Sequence, residues 1–141
     1  MYFVEGVEGR DVVDVGGSVG ETAILYKING ARKVVSVEPL NLPSFYKEEI
    51  LEEEVPTFTL SDILSDDPYM LKMDCEGCEY DVILKDYETV KRFTIINFHN
   101  HERETGISHR VLINKLRYDY EVKVYNGPGP YQGTILVKKK H

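Results

Sequence analysis

The sequence predicts one α/β domain over residues 1–141, with a mostly parallel sheet between helical layers. Three observations carry that expectation. Strand-like apolar runs alternate with helix-like stretches, the pattern of βαβ units. One apolar run enters a glycine-rich turn, Asp14-Val15-Gly16-Gly17-Ser18-Val19-Gly20, and the next ends in an acid, Val34-Val35-Ser36-Val37-Glu38. The chain has 141 residues, 42% apolar and 29% charged, which suits a single globular unit able to bury a core.

The elements follow in order. Val12 to Val15 reads as the first strand. Residues 20–29 read as a helix with Ile24 and Ile28 on one face, stopped by Asn29-Gly30. Val34 to Val37 is the second strand. Pro39, Leu42 and Pro43 open a loop, and residues 44–54, rich in Glu and anchored by Phe45, Ile50 and Leu51, read as a surface helix. Val55 to Leu60 reads as a short edge strand, since Pro56 cannot donate to a ladder. Met70 to Met73 forms the next strand and reaches Asp74. Residues 77–91 look helical through Val82, Ile83, Tyr87 and Val90. Thr94 to Phe98 is a strand, and Ser108 caps a helix carrying Val111, Leu112 and Leu116. Glu121 to Tyr125 and Thr134 to Lys138 make an antiparallel pair, joined by the Gly- and Pro-rich loop 126–133. Tyr131 in that loop could close over a substrate or simply belong to the turn.

Charge and composition exclude several classes. The net charge is −7, with no basic block except Lys138-Lys139-Lys140, which reads as a solvated tail. That argues against nucleic acid as a partner. No apolar run approaches the ~20 residues that span a bilayer. The first residues show no basic region followed by a long apolar one, so the expected location is cytoplasmic, with no membrane partner. Two cysteines, Cys75 and Cys78, imply no disulfide framework.

The glycine spacing separates ligand classes. A dinucleotide fingerprint needs Gly-x-Gly-x-x-Gly. From Gly16 that pattern would put glycines where Ser18 and Glu21 stand. The chain instead shows Asp-x-Gly-x-x-x-Gly, from Asp14, Gly16 and Gly20, with Gly17 as an extra. Glu21 in the first helical turn would repel a phosphate, which disfavours a nicotinamide oxidoreductase. A nucleoside without phosphates fits better, with Glu38 accepting from the ribose hydroxyls and Asp14 steering a cation. S-adenosylmethionine has those parts. The bland alternative is a tight turn whose glycines serve geometry alone.

In open α/β sheets, ligands sit beyond the carboxyl ends of the strands. Those ends would deliver Gly16 and Gly17, then Glu38, then Asp74, Cys75, Glu76 and Gly77, then His99, Asn100, His101 and Glu102. Titratable groups thus converge on one edge while strand interiors stay apolar.

These residues also resemble a known family. Asp14 to Gly20, then Val37-Glu38-Pro39, then Leu71-Lys72-Met73-Asp74-Cys75-Glu76-Gly77-Cys78-Glu79 look like the FkbM family of S-adenosylmethionine-dependent methyltransferases. Its second motif, approximately Lys-x-Asp-x-Glu-Gly-x-Glu, is matched by Lys72, Asp74, Glu76, Gly77 and Glu79. The resemblance implies a three-layer, Rossmann-like class I methyltransferase fold with one antiparallel strand near the carboxyl end. It implies O-methylation of a hydroxyl on a sugar or other small-molecule acceptor. By the same resemblance Asp14, Gly16 and Gly20 shape the methionine pocket, Glu38 holds the ribose, and Asp62 meets the adenine amino group. Asp74 and Glu76 then stand at the methyl-transfer end. Only about 15 residues separate Glu38-Pro39 from the Val55 run, shorter than the family pattern. That keeps a non-catalytic nucleoside-binding module or partner-dependent pseudo-enzyme as the alternative, and an exposed sheet edge there would suit a homodimer.

A hydroxyl nucleophile needs a base. His99 or His101 could serve, since histidine titrates near neutral pH. Asp74 or Glu76 could serve instead, or bind a divalent cation that acidifies the hydroxyl; Glu76 could equally cap the following helix. Cys75 and Cys78 read as packed structural cysteines, with a zinc site shared with His99 and His101, or a redox pair, as alternatives.

Overall fold

The computed structural model describes residues 3–16, 20–37, 59–100, 105–130 and 132–140. In chain order the strands are β1 (Asp11–Val15), β2 (Lys33–Val37), β3 (Pro68–Met73), β4 (Ile95–His99), β5 (Tyr120–Val124) and β6 (Thr134–Lys139). The helices are α1 (Glu21–Ile28), α2 (Cys78–Lys85), α3 (Tyr87–Val90) and α4 (His109–Leu116), with a 3-10 turn at Ser61–Ile63. They build one six-stranded sheet in the order β2-β1-β3-β4-β6-β5. The first four strands in that order run parallel, and β6 runs antiparallel to both β4 and β5. The expected mostly parallel sheet with its antiparallel C-terminal strand is present.

Strand alternation sorts the core into two layers. Val13, Val15, Leu71, Met73, Ile96, Phe98, Ile135 and Val137 join one cluster with Tyr80, Ile83, Val90, Leu112 and Leu116 of α2, α3 and α4. Val12, Met70, Ile95 and Leu136 join the other with Tyr26 of α1 and Val7. β1 is buried along its whole length, as a strand covered on both faces must be.

One local expectation holds with its face turned outward, and one is corrected. Ile24 and Ile28 do share a face of α1, but it faces outward, at 60% and 77% exposure. The inward face carries Thr22 and Tyr26, because Tyr26 fills the space beside Val7 and Val12. The helix expected over 77–91 is two helices broken at Asp86. Asp86 has non-helical dihedrals and accepts from the Thr89 hydroxyl at 2.8 Å, so it ends α2 and opens α3. The helix expected over 44–54 and most of the strand expected over 55–60 lie outside the described residues; Leu60 itself opens the 3-10 turn. No helix among the described residues is long and apolar enough to cross a membrane.

The amino ends of the strands carry two forked ion pairs. Arg10 donates to Asp67 at 2.7 and 2.8 Å, and Arg32 to Asp11 at 2.8 and 2.6 Å. Each guanidinium holds its carboxyl below the usual carboxylate range. These pairs clamp one end of the sheet and leave the opposite end to the candidate site.

Candidate active site

The candidate site is built where β1, β3 and β4 end. β1 leaves the sheet at Gly16, whose φ of 84° is left-handed and suits glycine. The Gly16 amide donates to the Val37 carbonyl at 2.7 Å, extending the β1–β2 pairing by one residue. A Cβ on Gly16 would overlap the Asp74 carbonyl oxygen and lie 2.6 Å from its carbon. The turn after β1 therefore rests backbone to backbone on the turn after β3. Gly20, also left-handed at φ 86°, precedes α1, and a Cβ there would meet no described atom within 4 Å. One glycine is needed for close packing, and the other has no described atom to pack against.

Beneath this edge lies a polar row inside the sheet. Ser36, Asp14, Lys72 and Asn97 occupy matched positions on β2, β1, β3 and β4. Asp14, Lys72 and Asn97 are 0%, 1% and 2% exposed, and Lys72 Nζ lies 3.0 Å from Asp14 Oδ1. The acid of the first motif is thus paired with the lysine of the second. Lys72 was legible as part of a motif but not as a site residue. The usable signal is a lysine inside Met70-Leu71-Lys72-Met73, since a buried ammonium requires a partner.

The turn after β3 carries Asp74, Cys75, Glu76 and Gly77. The Asp74 amide donates to the Val15 carbonyl at 2.9 Å, extending the β1–β3 pairing by one residue. Asp74 is half-buried and Glu76 is exposed. Glu76 has a φ of 53°, a left-handed conformation that is rare for a residue with a side chain. α2 has no side-chain cap at its amino end; Gly77 occupies that position, so Glu76 is not the cap. Glu79, 0% exposed, accepts from the Gly77 amide at 3.1 Å.

Cys75 and Cys78 are joined by a disulfide, with Cα atoms 5.3 Å apart. This corrects the expectation of packed thiols: a Cys-x-x-Cys turn at a helix start brings the two sulfurs together without any wider framework. The described residue that gathers with them is Glu79, not His99.

β4 brings His99, half-buried, to the same edge one residue past the paired Met73 and Phe98. The Asn100 amide donates to the Gly133 carbonyl at 2.8 Å, and a Cβ on Gly133 would sit 3.5 Å from His99 Nε2. The β5–β6 loop thus packs on His99. Sequence reasoning missed a side-chain chain behind it. Tyr80 donates to Asn100 Oδ1 at 3.3 Å, and Asn100 Nδ2 lies 3.3 Å from His109 Nδ1. Asp62 lies in the 3-10 turn. Its carboxylate accepts from the Thr59 amide at 2.8 Å, and that bond, then the Thr59 hydroxyl, holds it below its ordinary value. Gly17, Glu38, His101 and Tyr131 lie outside the described residues. Among the described residues, Asp74 and Glu76 belong to no group of three metal ligands.

An open, mostly parallel sheet with an antiparallel strand inserted before its last edge, and a glycine turn at its carboxyl edge, defines a Rossmann-like methyltransferase fold. Solved structures agree. A ribosomal protein L11 methylase from Lactobacillus delbrueckii subsp. bulgaricus matches with TM-score 0.54 and 16% identity, over 97% of this chain and 73% of that one. The Thermoplasma acidophilum protein 1320 matches with TM-score 0.53 and 14% identity, over 94% and 80%. No curated protein matches the sequence. The methyltransferase FkbM domain profile matches residues 4–122, most of the chain, and the chain belongs to that family. Membership implies S-adenosylmethionine as methyl donor, and the turn fits it: no described atom lies within 4 Å of a Cβ on Gly20, beside a turn that Gly16 brings close to β3.

Proposed function

We propose that this chain methylates a hydroxyl group on a small molecule, a sugar or a compound of similar polarity. The observation that supports this most is the contact between the two motif turns. Gly16 and Asp74 meet backbone to backbone, so the cofactor turn and the acidic turn share one edge with His99.

Bound there, S-adenosylmethionine would supply an electrophilic methyl group. The residues of the chain do the rest by position. Gly16 seats the turn on Asp74 rather than opening space for ligand; Gly20 leaves room for the methionine part, with Gly17 as the neighbouring candidate, and Glu38 accepts from the ribose hydroxyls. Asp62 remains the candidate for the adenine amino group. Asp14 acts through Lys72: the pair holds β1 and β3 in register directly below the turn. Asp74 and Glu76 orient the acceptor hydroxyl. His99 takes its proton at a ring nitrogen, with His101 as the neighbouring candidate. Orientation of this kind supplies much of the barrier reduction in a displacement reaction, and a positioned base contributes about 10²–10⁴-fold.

Calorimetric titration with S-adenosylhomocysteine, with NAD as control, tests the pocket. Micromolar binding of the former alone is expected. A screen for transfer of labelled methyl to hydroxyl and amine acceptors then tests the chemistry. Binding with no transfer to any acceptor would favour a non-catalytic S-adenosylmethionine-binding module. Transfer to amines alone would overturn the hydroxyl assignment.

A further inference from the structure

We propose that Cys75 and Cys78 form a reversible dithiol–disulfide couple, with Glu79 as the hydrogen-bond acceptor of the Cys75 thiol, whose state sets the turn on which the cofactor turn rests. Both cysteines are half-buried and so within reach of a small disulfide. Their turn is closed by the Cys78 amide donating to the Cys75 carbonyl at 3.4 Å, and the Cα separation of 5.3 Å lies inside the range a disulfide spans. The backbone therefore accommodates the bond as it stands.

The two sulfurs are in unlike settings. Cys78 is the first residue of α2. Cys75 Sγ lies 3.1 Å from Glu79 Oε2, whose residue is fully buried. In the dithiol state a Cys75 thiol at that place would donate its proton to this oxygen. Exchange with oxidised glutathione then runs in two steps. The Cys78 thiolate attacks one glutathione sulfur, forms a mixed disulfide and expels a glutathione thiolate. Cys75 then attacks Cys78 Sγ, losing its proton to solvent, and expels the second glutathione. The dithiol loses two electrons, and one glutathione disulfide becomes two thiols.

Oxidation removes the proton that Cys75 donates to Glu79. The buried carboxylate keeps the Gly77 amide at 3.1 Å but loses one donor. Glu79 thus favours the dithiol. The same turn carries Asp74 and Cys75 against Gly16; the Cys75 nitrogen would lie 3.0 Å from a Cβ placed there. A change at Cys75 is therefore felt at the cofactor turn. This coupling rests on the functional reading above, whereas the exchange chemistry does not.

The test equilibrates the full chain in glutathione buffers, quenches with acid and counts free thiols by maleimide gel shift. Both thiols are expected to disappear together in one transition, and C75S and C78S should show no intramolecular transition. Glu79→Gln should demand a buffer about tenfold more reducing at the midpoint, the equivalent of one charge-assisted hydrogen bond. Two thiols that never pair, or a zinc ion retained against oxidised glutathione, would overturn the couple. An unshifted midpoint in folded Glu79→Gln would overturn the role of Glu79. S-adenosylhomocysteine affinity is expected to differ at least threefold between the reduced and oxidised chain. Equal affinities would overturn the coupling. Absence of binding in both states would overturn the cofactor reading, while the glutathione titration still decides the couple.

Discussion

Replacing Lys72 by Met tests the ion pair that joins the two motifs. Lys72 is 1% exposed and Asp14 0%, with Nζ and Oδ1 3.0 Å apart. Methionine nearly matches the buried stem of lysine, so little cavity forms and the loss of charge dominates. The variant leaves the Asp14 carboxylate buried without its cation. Breaking such a pair on one side costs roughly 3–5 kcal/mol. At a urea slope of about 2 kcal/mol/M, the unfolding midpoint should fall by roughly 1.5–2.5 M. That is a large part of the ~5–15 kcal/mol that holds a domain of this kind together. Asp14→Leu with Lys72→Met removes both charges and should recover most of the loss, since an apolar pair of similar volume is often neutral or better. Urea titrations of the parent, both singles and the double supply a complete cycle. A Lys72→Met midpoint within about 0.3 M of the parent, or a double variant no better than either single, would refute the pairing as a source of stability.

Gly16→Val should destabilise by more than about 3 kcal/mol, because a left-handed backbone strain of ~1–3 kcal/mol is added to a clash with Asp74. Gly20→Ala has the same left-handed backbone without the clash, so thermal melting should show a cost of only about 1–2 kcal/mol, with the larger effect in S-adenosylhomocysteine titration. Asp11 and Asp67 titrate below their ordinary range, so their pairs stabilise the fold above about pH 4 and lose that contribution as pH falls further. Asp67→Asn should therefore lower stability at pH 7 and flatten the acid limb of a melting-temperature profile; an unchanged limb would sink the assignment. Burial pushes the Tyr120 phenol up, so its contribution is complete below about pH 10 and declines above it. Tyr120→Phe removes the hydroxyl that meets the Phe93 carbonyl at 2.6 Å and the Val90 carbonyl at 3.1 Å, the latter keeping the Phe93 amide, and should cost about 1–3 kcal/mol at neutral pH while blunting the alkaline decline.

The parts legible in the sequence are those where one local rule decides. β1, β2 and β3 are short apolar runs bounded by breakers, and Gly16 and Gly20 stand where the chain turns left-handed. The final hairpin was legible from its Gly- and Pro-rich loop. The parts not legible need a partner distant in sequence. Nothing within α1 tells Tyr26 from Ile24; the choice is made by Val7 and Val12 on the other side of the space. Asp86 breaks a helix because it also bonds Thr89, a competition that apolar periodicity does not register. Asp14 reads as a ligand-facing acid until Lys72, 58 residues on, arrives at the same height in the neighbouring strand.

That last pairing bears on how the edge works. Methyl transfer asks for alignment more than for strong chemistry, and a misplacement of about 1 Å can cost 10²-fold. Loops hold such tolerances poorly unless something below them is fixed. Here the glycine turn is held twice: from below by Asp14 on Lys72, and from the side by Gly16 on Asp74. Both supports belong to the second motif. A substitution at Lys72 or at the turn after β3 should therefore disturb cofactor binding without touching the cofactor. The two motifs, distant in the chain, behave as one mechanical part, which gives a physical reason for Lys72 to stand two residues before Asp74 in a strand that is otherwise apolar.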